Sequence, residues 1–140
     1  MTDQRLLREQ RIKKPNSFTA AIRKGLFLRG TLLNIWFIRQ ADAGLAYPEG
    51  VLAKKASGRG RPAIGIMVSR KVHLRAVKRN LWKRRIREAF RRKQGQFKPG
   101  WALVVQARKQ AQIPAYAEIE KEMMRLCDRA CVIETKAKQD

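Results

Sequence analysis

Between Arg70 and Lys93, twelve of 24 residues are Lys or Arg, and the only acid is Glu88. A run this basic becomes ordered only if its apolar residues share a side to bury, and here they do. At about 100° per residue, Trp82, Ile86 and Ala89 gather on one arc with Phe90 at its edge, the stripe by which a helix lies on a sheet. Arg84, Arg87 and Arg91 fall within about 40° of the bearing of Asn80 on the opposite side, with Lys83 on the flank. The segment reads as an amphipathic helix with a cationic outer ridge. Like charges at i,i+4, as in Lys83 with Arg87 and Arg87 with Arg91, each cost a few tenths of a kcal/mol. Something outside the chain must offset them. Phosphate does so, because guanidinium forks onto its oxygens, while Asn80 adds a polar contact without adding charge.

The whole chain repeats the imbalance. Its 140 residues carry 33 Lys plus Arg against 11 Asp plus Glu, a formal charge of +22, with 44% hydrophobic residues, enough for one modest core. A polyanion relieves that self-repulsion and releases its own condensed cations, so nucleic acid is the expected partner class. A surface charged for solubility alone mixes its signs, and this ridge does not. A membrane-surface helix needs a free apolar side, whereas this one lies between two predicted strands. The longest apolar run, 32–38, is broken by Asn34 and falls far short of the roughly 20 residues that span a bilayer, so no membrane partner is expected. The first residues show neither signal nor transit pattern, which makes the cytoplasm the expected location.

Residue chemistry points to binding without protein-borne catalysis. A protein site that cleaves RNA needs acid–base pairs or carboxylates clustered around metal. His73 is the only histidine, and Glu118, Glu120, Glu122, Asp128 and Glu134 crowd the last helix, where they read as its solvent face and as partners for Lys121, Arg125 and Arg129. Cys127 and Cys131, four apart on that helix, cannot bridge without distortion and read as free buried thiols. No catalytic residue and no protein-held metal are expected. Gly58-Arg59-Gly60-Arg61 lacks the trailing Lys-Ser or Lys-Thr of a phosphate-binding loop.

Along the chain, residues 1–15 read as a flexible basic arm ending at Pro15. Asn16 or Ser17 then caps a short helix with Phe18, Ala21 and Ile22 on one face, stopped by Gly25. Residues 31–39 form a strand apolar on both sides, with Leu33, Ile35 and Phe37 on one and Asn34, Trp36 and Ile38 on the other. A long basic loop covers 41–62. Strands at 63–69 and 101–107 flank the basic helix, and the last helix, 114–133, carries the stripe Tyr116, Ile119, Met123, Leu126, Ala130 and Ile133. These elements make one α+β domain over 16–133, followed by a tail at 134–140.

The run Val68-Ser69-Arg70-Lys71-Val72, then Ala76-Val77-Lys78-Arg79-Asn80, Lys83-Arg84 and Ile86-Arg87-Glu88-Ala89-Phe90, resembles the protein subunit of bacterial ribonuclease P. The similarity continues through Phe18, Gly25 and Trp36 upstream and Pro99-Gly100, Leu103-Val104-Val105 and Ala107-Arg108 downstream, roughly residues 11–133. It implies a small α+β domain of order α-β-β-α-β-α, similar to a ribosomal-protein domain, with a mixed central sheet and room for one extra short strand. It also implies a left-handed βαβ crossover, against the general rule. The implied function is that of cofactor to a catalytic RNA that removes the 5′ leader of precursor tRNA. Its partners would be ribonuclease P RNA and precursor tRNA, and the hydrolysis would be carried by the RNA and its Mg²⁺.

Under this resemblance Arg79, Asn80, Lys83, Arg84 and Arg87, with Arg70, Lys71, Lys78 and Arg91 beside them, would face RNA. Phe18, Ile22, Asn34 and Trp36 would line a cleft for the single-stranded leader, where stacking contributes roughly 1–3 kcal/mol per base. Phe18 serves equally well as a core residue under the first helix, whereas Leu33, Ile35 and Phe37 already supply the buried side of the Trp36 strand. The sequence departs from the family at four places. Leu81 stands for a usual Arg, with Lys78 or Arg85 as its substitutes. His73-Leu74 replaces a Gly and reads as ordinary turn. Ile22 replaces an aromatic, and Arg85 replaces an apolar residue and lays its stem along the core edge. An RNA-binding protein of structure or assembly on the same fold is the alternative, and a standalone nuclease the weaker third.

Overall fold

The computed structural model describes residues 11–12, 15–39, 62–98 and 100–133. Helix α1 (Pro15–Lys24) opens on proline, tolerated in a first turn because its missing N–H has no helical partner to lose, and closes where Gly25 N–H reaches Ala21 O. Strands β1 (Leu26–Arg29), β2 (Leu33–Arg39) and β3 (Ala63–Met67) follow, then helix α2 (Ala76–Lys93) with a 3₁₀ turn, strand β4 (Trp101–Ala107) and helix α3 (Tyr116–Arg129). The sheet order is β1-β2-β4-β3, antiparallel except for the β3–β4 pair that α2 connects. This is the expected α+β domain, and β1 is its extra short strand.

Both sides of the sheet are covered, which explains a β2 that is apolar on both faces. On one side Leu33, Ile35, Phe37, Leu103 and Val105 share a buried cluster with Trp82, Ile86 and Phe90 of α2 and Ile119, Met123 and Leu126 of α3. On the other, Ile38, Ala63, Ala102 and Val104 are buried with Ala21 of α1 and with Ile12. Of the arm expected over 1–15, Arg11, Ile12 and Pro15 are described: Pro15 already opens α1, which puts Asn16 and Ser17 inside the helix rather than at its cap, and Ile12 N–H donates to Ile64 O at 2.8 Å, extending the sheet beyond β3. The loop expected at 41–62, apart from Pro62, and the tail 134–140 lie outside the described residues.

The last helix corrects three expectations. It ends at Arg129, and Ile133 is buried through a bridge to Phe97 instead of lying on the helical stripe. Cys131 therefore sits past the helix at φ 61° and is exposed, so only Cys127 is a buried thiol. Glu122 is buried, not on the solvent face: its Oε2 accepts the Leu32 and Leu33 N–H groups at 2.5 and 2.7 Å. The β1–β2 turn presents those donors inward, and a carboxylate satisfies both. Arg108 completes the clasp by donating to Gly30 O at 2.6 Å, and a Cβ on Gly30 would meet Glu122 Oε2 at 2.5 Å.

Glu122→Ala should lower stability by about 2–3 kcal/mol in urea unfolding, and Glu122→Gln by less because an amide oxygen still accepts. An unchanged midpoint would show that the turn does not depend on this carboxylate. Burial pushes the Cys127 thiol well above the ordinary cysteine range. Alkylation at neutral pH should therefore label Cys131 alone in the native chain and both thiols in denaturant, as read by intact mass.

Candidate nucleic-acid interface

Helix α2 buries the arc foreseen from its periodicity, Trp82, Ile86, Ala89 and Phe90. That orientation leaves Asn80 and Arg84 exposed and Lys83 and Arg87 half-buried along the outer ridge. The helix's cations do not all have the same occupation. Arg91 forks onto Glu88, with Nε and Nη2 donating at 2.9 and 2.5 Å, so that ridge position already has an anion. Arg79 donates to the carbonyls of His73 and Leu74, satisfying the backbone where the extra residue enters the turn. Arg85 ties α2 to the start of α3 by donating to Pro114 O at 2.5 Å, which places its stem at the core edge as expected.

Arg87 carries the clearest electrostatic mark. Partial burial pulls its guanidinium below the ordinary arginine range, and repulsion from Arg11 adds to the effect. The docked N-terminal residues thus bring a second cation to the ridge, at the β3 edge. No signal in the basic tract singled out Arg11; only the apolar Ile12 beside it hinted at docking. Arg70, Lys71 and Lys78 are exposed around the entry to α2. Arg70 and Lys71, with Arg75 and Lys109, also line an open groove of about 790 Å³. His73 faces it as a turn side chain, its Nδ1 accepting Arg75 N–H at 3.3 Å.

The opposite sheet face brings together only part of the expected cleft. Trp36 and Asn34 are both half-buried and project from the same side of β2. Asn34 Nδ2 donates to Gln106 at 3.1 Å, while its Oδ1 is buried with no partner among the described residues. Phe18 lies two strands away over β3, where a Cβ on Gly65 would come within 2.8 Å of its ring, so glycine is required beneath it. Phe18 is therefore half-buried against the core of this face, and Ile22 is 44% exposed. The aromatic that sequence reasoning missed is Phe27 on β1, whose ring centroid is 4.8 Å from that of Trp36. Among the described residues no helix is long and apolar enough to cross a membrane, and no three acids, histidines or cysteines gather as a metal-holding group.

The family described as Ribonuclease P matches residues 6–131. The ribonuclease P protein component of a Cyanothece species is 31% identical over 128 residues, covering 91% of this chain and 97% of the relative. That of a Picosynechococcus species is 34% identical over 125 residues, covering 89% and 93%. The chain belongs to the ribonuclease P protein family. Membership makes it an RNA-binding protein of tRNA processing, with an RNA partner in an endoribonuclease complex. The fold agrees with solved ribonuclease P proteins. The Staphylococcus aureus protein superposes with a TM-score of 0.68 at 23% identity, covering 89% of this chain and 98% of that one. The Thermotoga maritima protein does so at 0.65 and 24%, covering 85% and 96%.

Arg84→Ala or Arg87→Ala should weaken RNA binding and flatten its salt dependence, each lost phosphate contact removing about 0.7–0.9 from the slope of log K against log salt. An unchanged slope in a filter-binding titration would mean that the ridge faces only solvent. Arg79→Ala should in addition lower the melting temperature, because two turn carbonyls lose their donor.

Proposed function

We propose that the chain is the protein subunit of ribonuclease P, binding the catalytic RNA through the α2 ridge and the single-stranded 5′ leader of precursor tRNA on the sheet face beside α1. The observation that carries this reading is the division of α2 into a buried apolar arc and an outward row of Asn80, Lys83, Arg84 and Arg87. Such a row, pinned to a rigid core, presents cations at fixed spacing to a phosphate backbone. Arg70, Lys71, Lys78, Arg79 and Arg91 flank it.

The leader reading rests on chemistry at the other face. Trp36 offers a ring to an unpaired base, Phe18 and Ile22 bound the space from α1, and the unpartnered Asn34 Oδ1 is an acceptor that packing leaves over. Stacking is indifferent to base identity, which suits leaders of varied sequence. In this reading the Mg²⁺ of the reaction belongs to the RNA, and the protein's side chains act on phosphates and bases. The protein's contribution is then to neutralise phosphates and to hold the substrate's leader, so that RNA and precursor associate with fewer free cations.

Reconstitution tests the proposal. Purified protein alone should leave precursor tRNA intact, and adding it to a bacterial ribonuclease P RNA should restore leader removal at Mg²⁺ concentrations where the RNA alone is slow. No change in RNA activity on adding the protein would overturn the reading. Equal affinity for precursor and mature tRNA would favour a structural or assembly RNA binder on the same fold.

A further inference from the structure

Strand β1 forms an edge of the sheet, and its residues alternate between the two faces. Phe27 projects on the side of Trp36, its register partner, and Arg29 on the side of Asn34. Phe27 is 43% exposed although it already touches Trp36, with the two rings tilted by 39°. Single exposed hydrophobes are ordinary on a protein surface. An exposed ring held in place by a second ring, with an exposed cation two residues along the same face, is a more specific arrangement. At a strand rise of about 3.3 Å per residue, Phe27 and Arg29 stand about 6.6 Å apart along β1. That spacing is comparable with the separation of base and phosphate within one nucleotide.

We propose that Phe27 and Arg29 form a further nucleotide site at the outer end of the leader cleft, taking one unpaired nucleotide beyond the one on Trp36. Its base stacks on Phe27 and its phosphate meets Arg29. The inference rests on the reading that this face holds single-stranded RNA. Charge selects the occupant. Arg23 and Lys24 end α1 immediately before β1, all three cations are exposed, and neither element carries an acid. A second copy of the chain pairing along this edge would set one +22 molecule against another, whereas a leader brings the opposite sign. Contact with Trp36 already restricts the Phe27 ring, so stacking a base on it costs little further freedom. The site lengthens the track outward from Trp36 to its register partner Phe27, and makes affinity depend on how far the leader extends.

Full-length protein assembled with the RNA subunit can be titrated against precursor tRNAs bearing leaders of about two and about eight nucleotides, followed by fluorescence anisotropy. Phe27→Leu keeps apolar bulk and Phe27→Tyr keeps the ring. The leucine variant should bind the long-leader substrate about tenfold more weakly and leave the short-leader substrate within about twofold, while the tyrosine variant matches the parent. Arg29→Gln should reduce the salt slope for the long leader by about one. Leucine binding both substrates as the parent does, or losing both equally, would overturn the site. Trp36→Ala separates the two levels of the argument. If it weakens both substrates while Phe27→Leu weakens neither, only the Phe27 site fails; if it weakens neither, the cleft reading beneath it fails.

Discussion

The contact that decides what this chain displays is the packing of Trp82, Ile86, Ala89 and Phe90 into one buried cluster with Ile64, Leu103 and Val105. Those four side chains fix the rotation of α2 about its axis, and with it the direction of every cation on the helix. A helix of this composition has little reason to form alone, since its like charges repel along the ridge and only Glu88 answers them. Burial of a Trp, an Ile and a Phe on one side, each contributing roughly 1.5–3 kcal/mol, outweighs several such repulsions. Core packing therefore holds Lys83, Arg84 and Arg87 in a geometry that electrostatics within the protein opposes.

The other sheet face uses the same logic with smaller residues. Ala21 of α1 lies over Ala102 and Val104, and Phe18 reaches the sheet only because Gly65 has no side chain there. Small residues let α1 approach closely at one end, and the register rows holding Trp36 and Asn34 are left half covered at the other. A close approach at one end and an incomplete cover at the other leave, among the described residues, a partly open sheet surface around Trp36. The Glu122 carboxylate matters here at a distance. By gripping the β1–β2 turn from α3 it sets the edge strand that bears Phe27 and Arg29.

Period and residue type made most of the architecture legible. The 3.6-residue pattern identified both long helices, the buried arc of α2 and the Ile119, Met123 and Leu126 part of the α3 stripe, and the alternation in 31–39 identified a strand covered on both sides. What escaped was what depends on partners remote in sequence. Glu122 falls beside Ile119, Met123 and Leu126 on the helical stripe, yet it reads from sequence as one more solvent-facing acid, because its donors lie some 90 residues earlier in a turn. Four residues between two glycines gave too short a pattern to declare β1 a strand, so Phe27 went unnoticed. Arg11 looked like one more cation in a basic tract, and its place beside Arg87 follows only from the backbone bond of Ile12 to Ile64. In the candidate site, the ridge was readable because it lies on one element, and the cleft was only partly so because it joins α1 to two strands.

The half-buried Arg87 links folding to binding. Its charge is held partly out of water and near Arg11, so the folded chain retains an unfavourable interaction that an anion at that place would reverse. A ligand that binds the folded state and not the unfolded one adds stability in proportion to RT ln(1 + [L]/Kd), and under the proposed ridge reading RNA meets that condition, because the ridge exists as a ridge only when α2 is docked. The excess charge thus opposes the isolated fold and favours the assembled one. Salt and RNA should act on the same groups in the same direction, salt by screening the repulsion weakly and non-specifically, RNA by replacing it with contacts at fixed spacing. Under the proposed reading, the cations that repel one another in the free protein are the ones that hold the RNA.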